Sequence, residues 1–296
     1  MTWPRHVLKA DRVLVVNTPD DRRIDTSALL ALGGDRFLTV NNLRPEAFVV
    51  SGPADATQTR LEPSPEFLAP GRLAALANRR RHGYDLEGLA RDEQGRTYIC
   101  DEAQRWVLRL SPGDGPAELL EIDWGPAARF FSKDDRNASF EGIAVGGGRL
   151  YVANERTAPG IVVVDLKSLA VVEVFQPRPW KGSLLGTHYS DLCWFEDRLW
   201  VLCRQHQVVL EINPATHAVL AEYDYEAAEE SLGYRKAMPA GLMEGLAVER
   251  DAIWLITDNN GWARRDGPRD LRPTLIRCPR PPPAPANSPS ARPKTP

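Results

Sequence analysis

The sequence predicts an all-β protein, a β-propeller of five four-stranded blades closed by an N-terminal strand. Three observations carry this. The first is composition: 25 prolines and 22 glycines in 296 residues interrupt the chain too often for long helices, while 43% hydrophobic residues suffice for a core. The second is a set of short β-branched or aromatic strings, "TYIC", "RLYVAN", "IVVVDL", "RLWVLC", "VVLEIN" and "AIWLIT", each bounded by Gly, Pro, Asp or Asn. The third is a repeat of strand, turn, strand and polar end. It begins near Ser27, Glu87, Glu141, Asp191 and Glu244, with successive starts 60, 54, 50 and 53 residues apart. Stacked helical pairs would need a 3.6-residue apolar period, which these segments lack.

Taken in order, "RVLVVN" (Arg12 to Asn17) is a strand that precedes the first repeat and has no blade of its own. The connector "GRLAALANRRR", Gly71 to Arg81, has the Leu and Ala content of a helical turn or two. The third repeat shows a whole blade, "FEGIAV", "RLYVAN", "GIVVVDL" and "LAVVEVF", and the fourth copies it with "YSDLCWF", "RLWVLC", "QVVLEIN" and "HAVLAEYDY". The fifth offers only "MEGLAV", "AIWLIT" and "TLIRC". Arg12 to Asn17 therefore supplies the missing strand and pairs the two ends of the chain, which leaves no open edge. Residues 1–278 form one propeller domain in this reading, and the Pro-rich stretch 279–296 is a disordered tail.

A net charge of -3 and a pI near 6.0 give no basic field for nucleic acid, and the local run Arg79-Arg80-Arg81-His82 reads as a solvated loop. No apolar run is long enough to span a bilayer, and the N-terminus has no uninterrupted hydrophobic segment before a cleavage site. As written the chain is expected in the cytoplasm, or exported if it is a processed form. Cys100, Cys193, Cys203 and Cys278 are scattered in apolar strings as buried free thiols, a Cys193–Cys203 disulfide being the lesser alternative. There is no phosphate loop, no dinucleotide fingerprint, no zinc-protease motif and no serine elbow, so a serine-hydrolase mechanism is not expected.

The acids at the strand ends remain. In a two-stranded hairpin, facing residues have numbers of constant sum about the turn. Glu87 with Glu102, Glu141 with Glu155, and Glu244 with Asp258 all centre on turn residues. Asp191 with Arg204 takes the same place in the fourth repeat, and Ser27 with Asn42 approximately in the first. Ring closure would then crowd Glu87, Glu102, Glu141, Glu155, Asp191, Glu244 and Asp258 at one mouth of the channel. Two like charges at 4 Å repel by roughly 1 kcal/mol even in bulk water. A hard divalent cation with oxygen ligands would offset this, and calcium tolerates an irregular cage best. Glu87, Glu102, Glu141, Asp191, Glu244 and Asp258 are the expected metal ligands. Gly88, Gly142 and Gly245 serving only tight axial packing, with the acids wetted by channel water, is the competing reading. Arg204 either holds an anionic substrate or neutralises a neighbour.

The "EGLA" and "EGIA" starts, the "YICDE" and "YVANE" strand ends and "EGLAVERDAIWLITDNN" together resemble the phytase-like family, also called esterase-like activity of phytase, from about Ser27 to about Arg277. The SdiA-regulated propeller family, with similar Glu-Gly starts, is the rival resemblance. The former implies calcium-dependent hydrolysis of a phosphoric or carboxylic ester, with a small anionic or ester ligand. In that chemistry Glu141 or Glu155 would be the base, His188 the acid and Arg204 the anion holder. The latter implies a non-enzymatic ligand- or protein-binding propeller with a structural calcium.

Overall fold

A computed structural model describes residues 3–135, 138–236, 240–258 and 260–282. After β1 (Arg5–Val7) and β2 (Arg12–Asn17), the first repeat folds as β3 (Thr26–Ala31), β4 (Arg36–Asn41), β5 (Ala47–Ser51) and β6 (Gln58–Pro63). The second is β7 (Leu86–Arg91), β8 (Thr97–Asp101), β9 (Trp106–Leu110) and the short β10 (Glu118–Leu119). The third is β11 (Phe140–Gly146), β12 (Arg149–Asn154), β13 (Gly160–Asp165) and β14 (Ala170–Phe175). The fourth is β15 (Tyr189–Phe195), β16 (Arg198–Cys203), β17 (Val208–Ile212) and β18 (Val219–Asp224), and the fifth β19 (Met243–Val248), β20 (Ala252–Thr257) and β21 (Thr274–Pro279). Helix is confined to connectors, α1 (Pro70–Leu73) continued by a 3-10 segment Ala74–Arg79, and α2 (Glu226–Glu230). The architecture is a β-propeller.

Each repeat is an antiparallel meander, as its short alternating strings require. The N-terminal strand does close the chain: β2 pairs antiparallel with β21, Arg12 opposite Arg277, and then parallel with β6, Val15 opposite Gln58. That second pairing joins the last and first repeats into one eight-stranded sheet. β1, which the sequence did not reveal, adds to the outer edge of the fourth repeat beside β18.

The apolar residues sort into clusters that each lie between neighbouring repeats. Leu38 and Val40 pack on Leu89 and Ile99; Tyr98 and Cys100 on Ile143 and Val152; Tyr151 and Ala153 on Leu192 and Val201. Trp200 and Leu202 pack on Leu246 and Leu255, and the circle closes where Trp254 and Ile256 meet Leu29, Phe37 and Leu14 of β2. The first strands β3, β7, β11, β15 and β19 consequently follow one another around the axis. All four cysteines are free, and Cys193 faces Trp200 while Cys203 faces Tyr189, so the alternative disulfide does not form. Pro279 ends β21, and Arg280 pairs with Glu196 at 3.0 Å, which shortens the expected tail at its start; its positions 283–296 lie outside the described residues. Among the described residues no helix is long and apolar enough to cross a membrane.

Candidate functional site

The five first strands share one irregularity. Their pairing with the second strand breaks between Ser27 and Leu30, Leu86 and Leu89, Phe140 and Ile143, Tyr189 and Asp191, and Met243 and Gly245. Each break is a β-bulge at the Glu-Gly pair or its counterpart, and a bulge re-aims the side chains it carries. It also displaces the register on which the constant-sum pairing rests. Leu86 faces Asp101 and Phe140 faces Asn154, so Glu87 and Glu141 sit one place inside the strand while Glu102 and Glu155 sit one place beyond its end. Glu102 instead donates its N–H to Asp85 O at 2.8 Å, Glu155 to Ser139 O at 2.8 Å, and Arg204 to His188 O at 3.1 Å. The acids of a repeat are thus diagonal neighbours, and the residues before the strands join them. Asp85 and Asp25 enter the site in this way, and the sequence reading missed both.

The same register corrects Asp191. Tyr189 faces Cys203 as Phe140 faces Asn154, so Ser190 occupies the glutamate column and Asp191 the column of Gly88, Gly142 and Gly245. A one-place slip along a strand turns a side chain to the other face. Asp191 is 1% exposed, and its carboxylate accepts hydrogen bonds from the N–H groups of Leu246 at 2.7 Å, Leu192 at 2.8 Å and Leu29 at 3.4 Å. It is not among the oxygen clusters described next.

Asp25, Asp85, Glu87, Glu141, Glu244 and Asp258, with Arg204, line a mouth cavity of about 390 Å³. Behind this rim Glu102 and Glu155 are fully buried. Two sets of carboxylate oxygens converge within 4.8 Å of one another, Asp85 with Glu87 and Glu102, and Glu102 with Glu141 and Glu155. Glu102 belongs to both. Its Oε1 accepts the Ser139 N–H at 2.6 Å, whereas its Oε2 is buried and accepts no hydrogen bond from a permanent donor among the described residues; the carboxyl of Asp85 is close enough to share a proton with that of Glu102.

The two sets differ in compensation. Glu155 is held by Arg204 at 2.5 Å, by His188 Nδ1 at 3.1 Å and by Arg156, whose other terminal nitrogen reaches Asp135 at 3.2 Å. Although burial pushes its carboxyl up, the His188 hydrogen bond and the two guanidiniums prevail and hold it low. Among the described residues Asp85, Glu87 and Glu102 form no ion pair, and the positive charge that pulls Glu102 down is that of the more distant Arg156. Burial, then the charges of Asp85 and Glu102, push Glu87 well above the carboxylate range; burial pushes Glu102 up to about 9. Glu141 is likewise raised well above its ordinary value by burial and then by Glu155 and Glu87. Asp258 rises to about 6 through burial and Asp25, and its Oδ1 accepts the Asn260 N–H at 2.8 Å. Asp85, Glu87 and Glu102, with Glu141 beside them, thus form the part of the site that makes no ion pair among the described residues and offers only hard oxygen donors, which fits a calcium-like cation.

Arg204 lines the mouth cavity, whereas His188 does not and meets the site only through its Nδ1 contact with Glu155. One guanidinium nitrogen of Arg204 holds Glu155 and the other Glu244, which is the neutralising rather than the anion-holding alternative. His82 is exposed.

Against known proteins, residues 10–261 match the family model described as phytase-like, esterase-like activity of phytase. The chain belongs to the phytase-like family. No curated protein sequence matches it. Among solved structures this phytase-like chain resembles the glutaminyl cyclase of Myxococcus xanthus at 17% identity, with a TM-score of 0.56 over 94% of this chain and 99% of that one. It also aligns with the virginiamycin B lyase of Staphylococcus aureus at 9% identity, TM-score 0.41, over 85% of this chain and 65% of that one. The first of these shows the fold alone.

Proposed function

We propose that this phytase-like chain is a calcium-dependent hydrolase of small esters, phosphoric in preference to carboxylic, acting at the acidic mouth. The observation that carries the reading is Glu102, shared by two oxygen clusters, with one oxygen buried and, among the described residues, facing only another carboxyl group. Asp85, Glu87 and Glu102 are the residues that would hold the cation, with Glu141 beside them. When bound, the ion would offset the repulsion among these acids and polarise a phosphoryl or carbonyl oxygen.

The chain's own residues divide the rest. Glu155, held by two guanidiniums and by His188, is an anchor and not a base. Glu141, which lines the cavity, is the acceptor for the proton of an attacking water. His188, oriented by its Nδ1 contact with Glu155, carries the proton for the leaving group. A second reading rests on a specific fact: both terminal nitrogens of Arg204 are engaged, so it offers an anionic substrate no ready fork. On that reading the chain is a binding propeller with a structural calcium.

Turnover of aryl phosphates and aryl esters by purified protein, in calcium and in chelator, tests the choice. Glu141→Gln removes the acceptor while keeping its shape, and general-base removal costs on the order of 100- to 10,000-fold in rate. Calcium-dependent turnover that falls in this way supports the hydrolase. Calcium-dependent stabilisation without turnover in either protein supports the binding propeller.

A further inference from the structure

Asp191 is a buried carboxyl group that none of this chemistry uses; burial pushes it well above the ordinary carboxylate range, and three backbone hydrogen bonds pull it back toward the charged form. Its three hydrogen-bond donors come from three separate first strands, Leu29 from β3, Leu192 from β15 and Leu246 from β19. Each donor lies in or just after the bulge of its strand. A bulge leaves an N–H outside the antiparallel ladder, and a buried N–H without a partner is costly. Leu29 lies inside such a bulge, whereas Leu192 and Leu246 stand in the paired register one place past theirs, opposite Val201 and Leu255, and all three N–H groups meet on one acid. In all three hydrogen bonds the carboxylate is the acceptor, so the array is a concave set of donors of the kind that binds anions. Glycine in this column reflects close approach elsewhere: a Cβ on Gly142 would meet Asp191 Cα at 2.5 Å, and one on Gly245 would meet the Ala28 carbonyl carbon at 2.6 Å. At Asp191 the side chain instead projects to the donors.

We propose that the bulged first strands build an anion-binding nest on the axis, selective for a small carboxylate, and that Asp191 is the chain's own occupant of it. By filling the nest Asp191 fixes the bulges that carry Ser27 and Glu244 toward the mouth, and its own backbone packs on Gly142 of the bulge that carries Glu141, beside the proposed cation site, so that it acts as a positioning residue. The positioning role rests on reading the mouth as the functional site; the nest itself does not.

Asp191→Gly gives the fourth repeat the residue of its neighbours and empties the nest. Thermal melts in sodium chloride, sodium formate and formamide then separate charge from filling. The melting temperature of Asp191→Gly should fall in chloride and rise saturably in formate, while formamide, the neutral counterpart, does nothing and wild type ignores both. Calcium affinity should weaken several-fold in the variant and return with formate, which mere loss of packing would not produce. If Asp191→Gly fails to fold in chloride, refolding from urea in formate against formamide asks the same question. Asp191→Asn keeps the volume but turns an amide N–H toward a donor, and it too should melt lower. A formate-insensitive Asp191→Gly, folded or not, or an Asp191→Asn as stable as wild type, overturns the nest. Formate rescue in a protein that binds no calcium keeps the nest and removes the metal reading instead.

Discussion

At the scale of single residues, Glu102 separates the compensated from the uncompensated half of the mouth. Glu102→Gln keeps an oxygen for the Ser139 N–H and removes one buried negative charge. The variant should lose the calcium-dependent rise in melting temperature, which for wild type at a hundredfold excess over Kd corresponds to about 2.7 kcal/mol. In chelator it should match wild type near neutral pH, where Glu102 already holds its proton, and exceed it above about pH 9, where that carboxyl would become one more repelling charge. The pH dependence has a definite sign. Burial raises Glu102 from 4.5 to about 9, so between those values the native state holds a proton that the unfolded chain has released. Stability of chelated wild type should therefore fall as pH rises through that window, and calcium should flatten the fall. Urea melts at several pH values, with and without calcium, read both. The glutamates at these positions were legible in the sequence because they recur; Asp25 and Asp85 were not, although each stands two residues before Ser27 and Glu87. Their inclusion depends on the cross-strand contact made by the residue after the second strand, such as Glu102 N–H to Asp85 O.

At the scale of elements, strand identity was readable from β-branched strings and turn residues, and even the displaced β2 could be placed by counting strands. Bulges could not be read, since an extra residue leaves the apolar pattern almost unchanged while moving every partner by one. That is why Asp191, the acid nearest the expected place, was assigned to the glutamate column when Ser190 fills it. The glycines beside the acids are tightly packed against neighbouring first strands, which is the part of the competing reading that concerns the glycines themselves. Gly142→Ala should be strongly destabilising, because its Cβ would meet backbone at 2.5 Å and the neighbouring strand has no room to retreat. Overpacking of this kind costs typically about 1–3 kcal/mol and occasionally more. Gly148→Ala, in a turn at φ +72 with open space around it, makes a contrast limited to backbone strain of roughly 1 kcal/mol. Equilibrium unfolding of the two variants side by side checks the order.

At the scale of the whole molecule, the site exists because the ends of the chain meet. Glu87 and Glu141 come from consecutive repeats, but Glu244 and Asp258 reach the same cavity as Asp25 and Ser27 only after β2 has joined β21 to β6. Leu14 of β2 is fully buried against the Trp254 and Ile256 cluster. Leu14→Ala should cost about 2–5 kcal/mol, whereas Val13→Ala on the more exposed side of the same strand, 39% accessible, should change stability little. If the two substitutions cost the same, β2 does not close the ring in solution. The central claim, that the ring assembles Asp85, Glu87, Glu102 and Glu141 into a cation site, is tested most directly by calorimetric titration of calcium into metal-free wild type and Glu102→Gln. The account predicts saturable binding in wild type and its loss in the variant. Absence of binding in wild type, or binding that Glu102→Gln leaves undiminished, would contradict it.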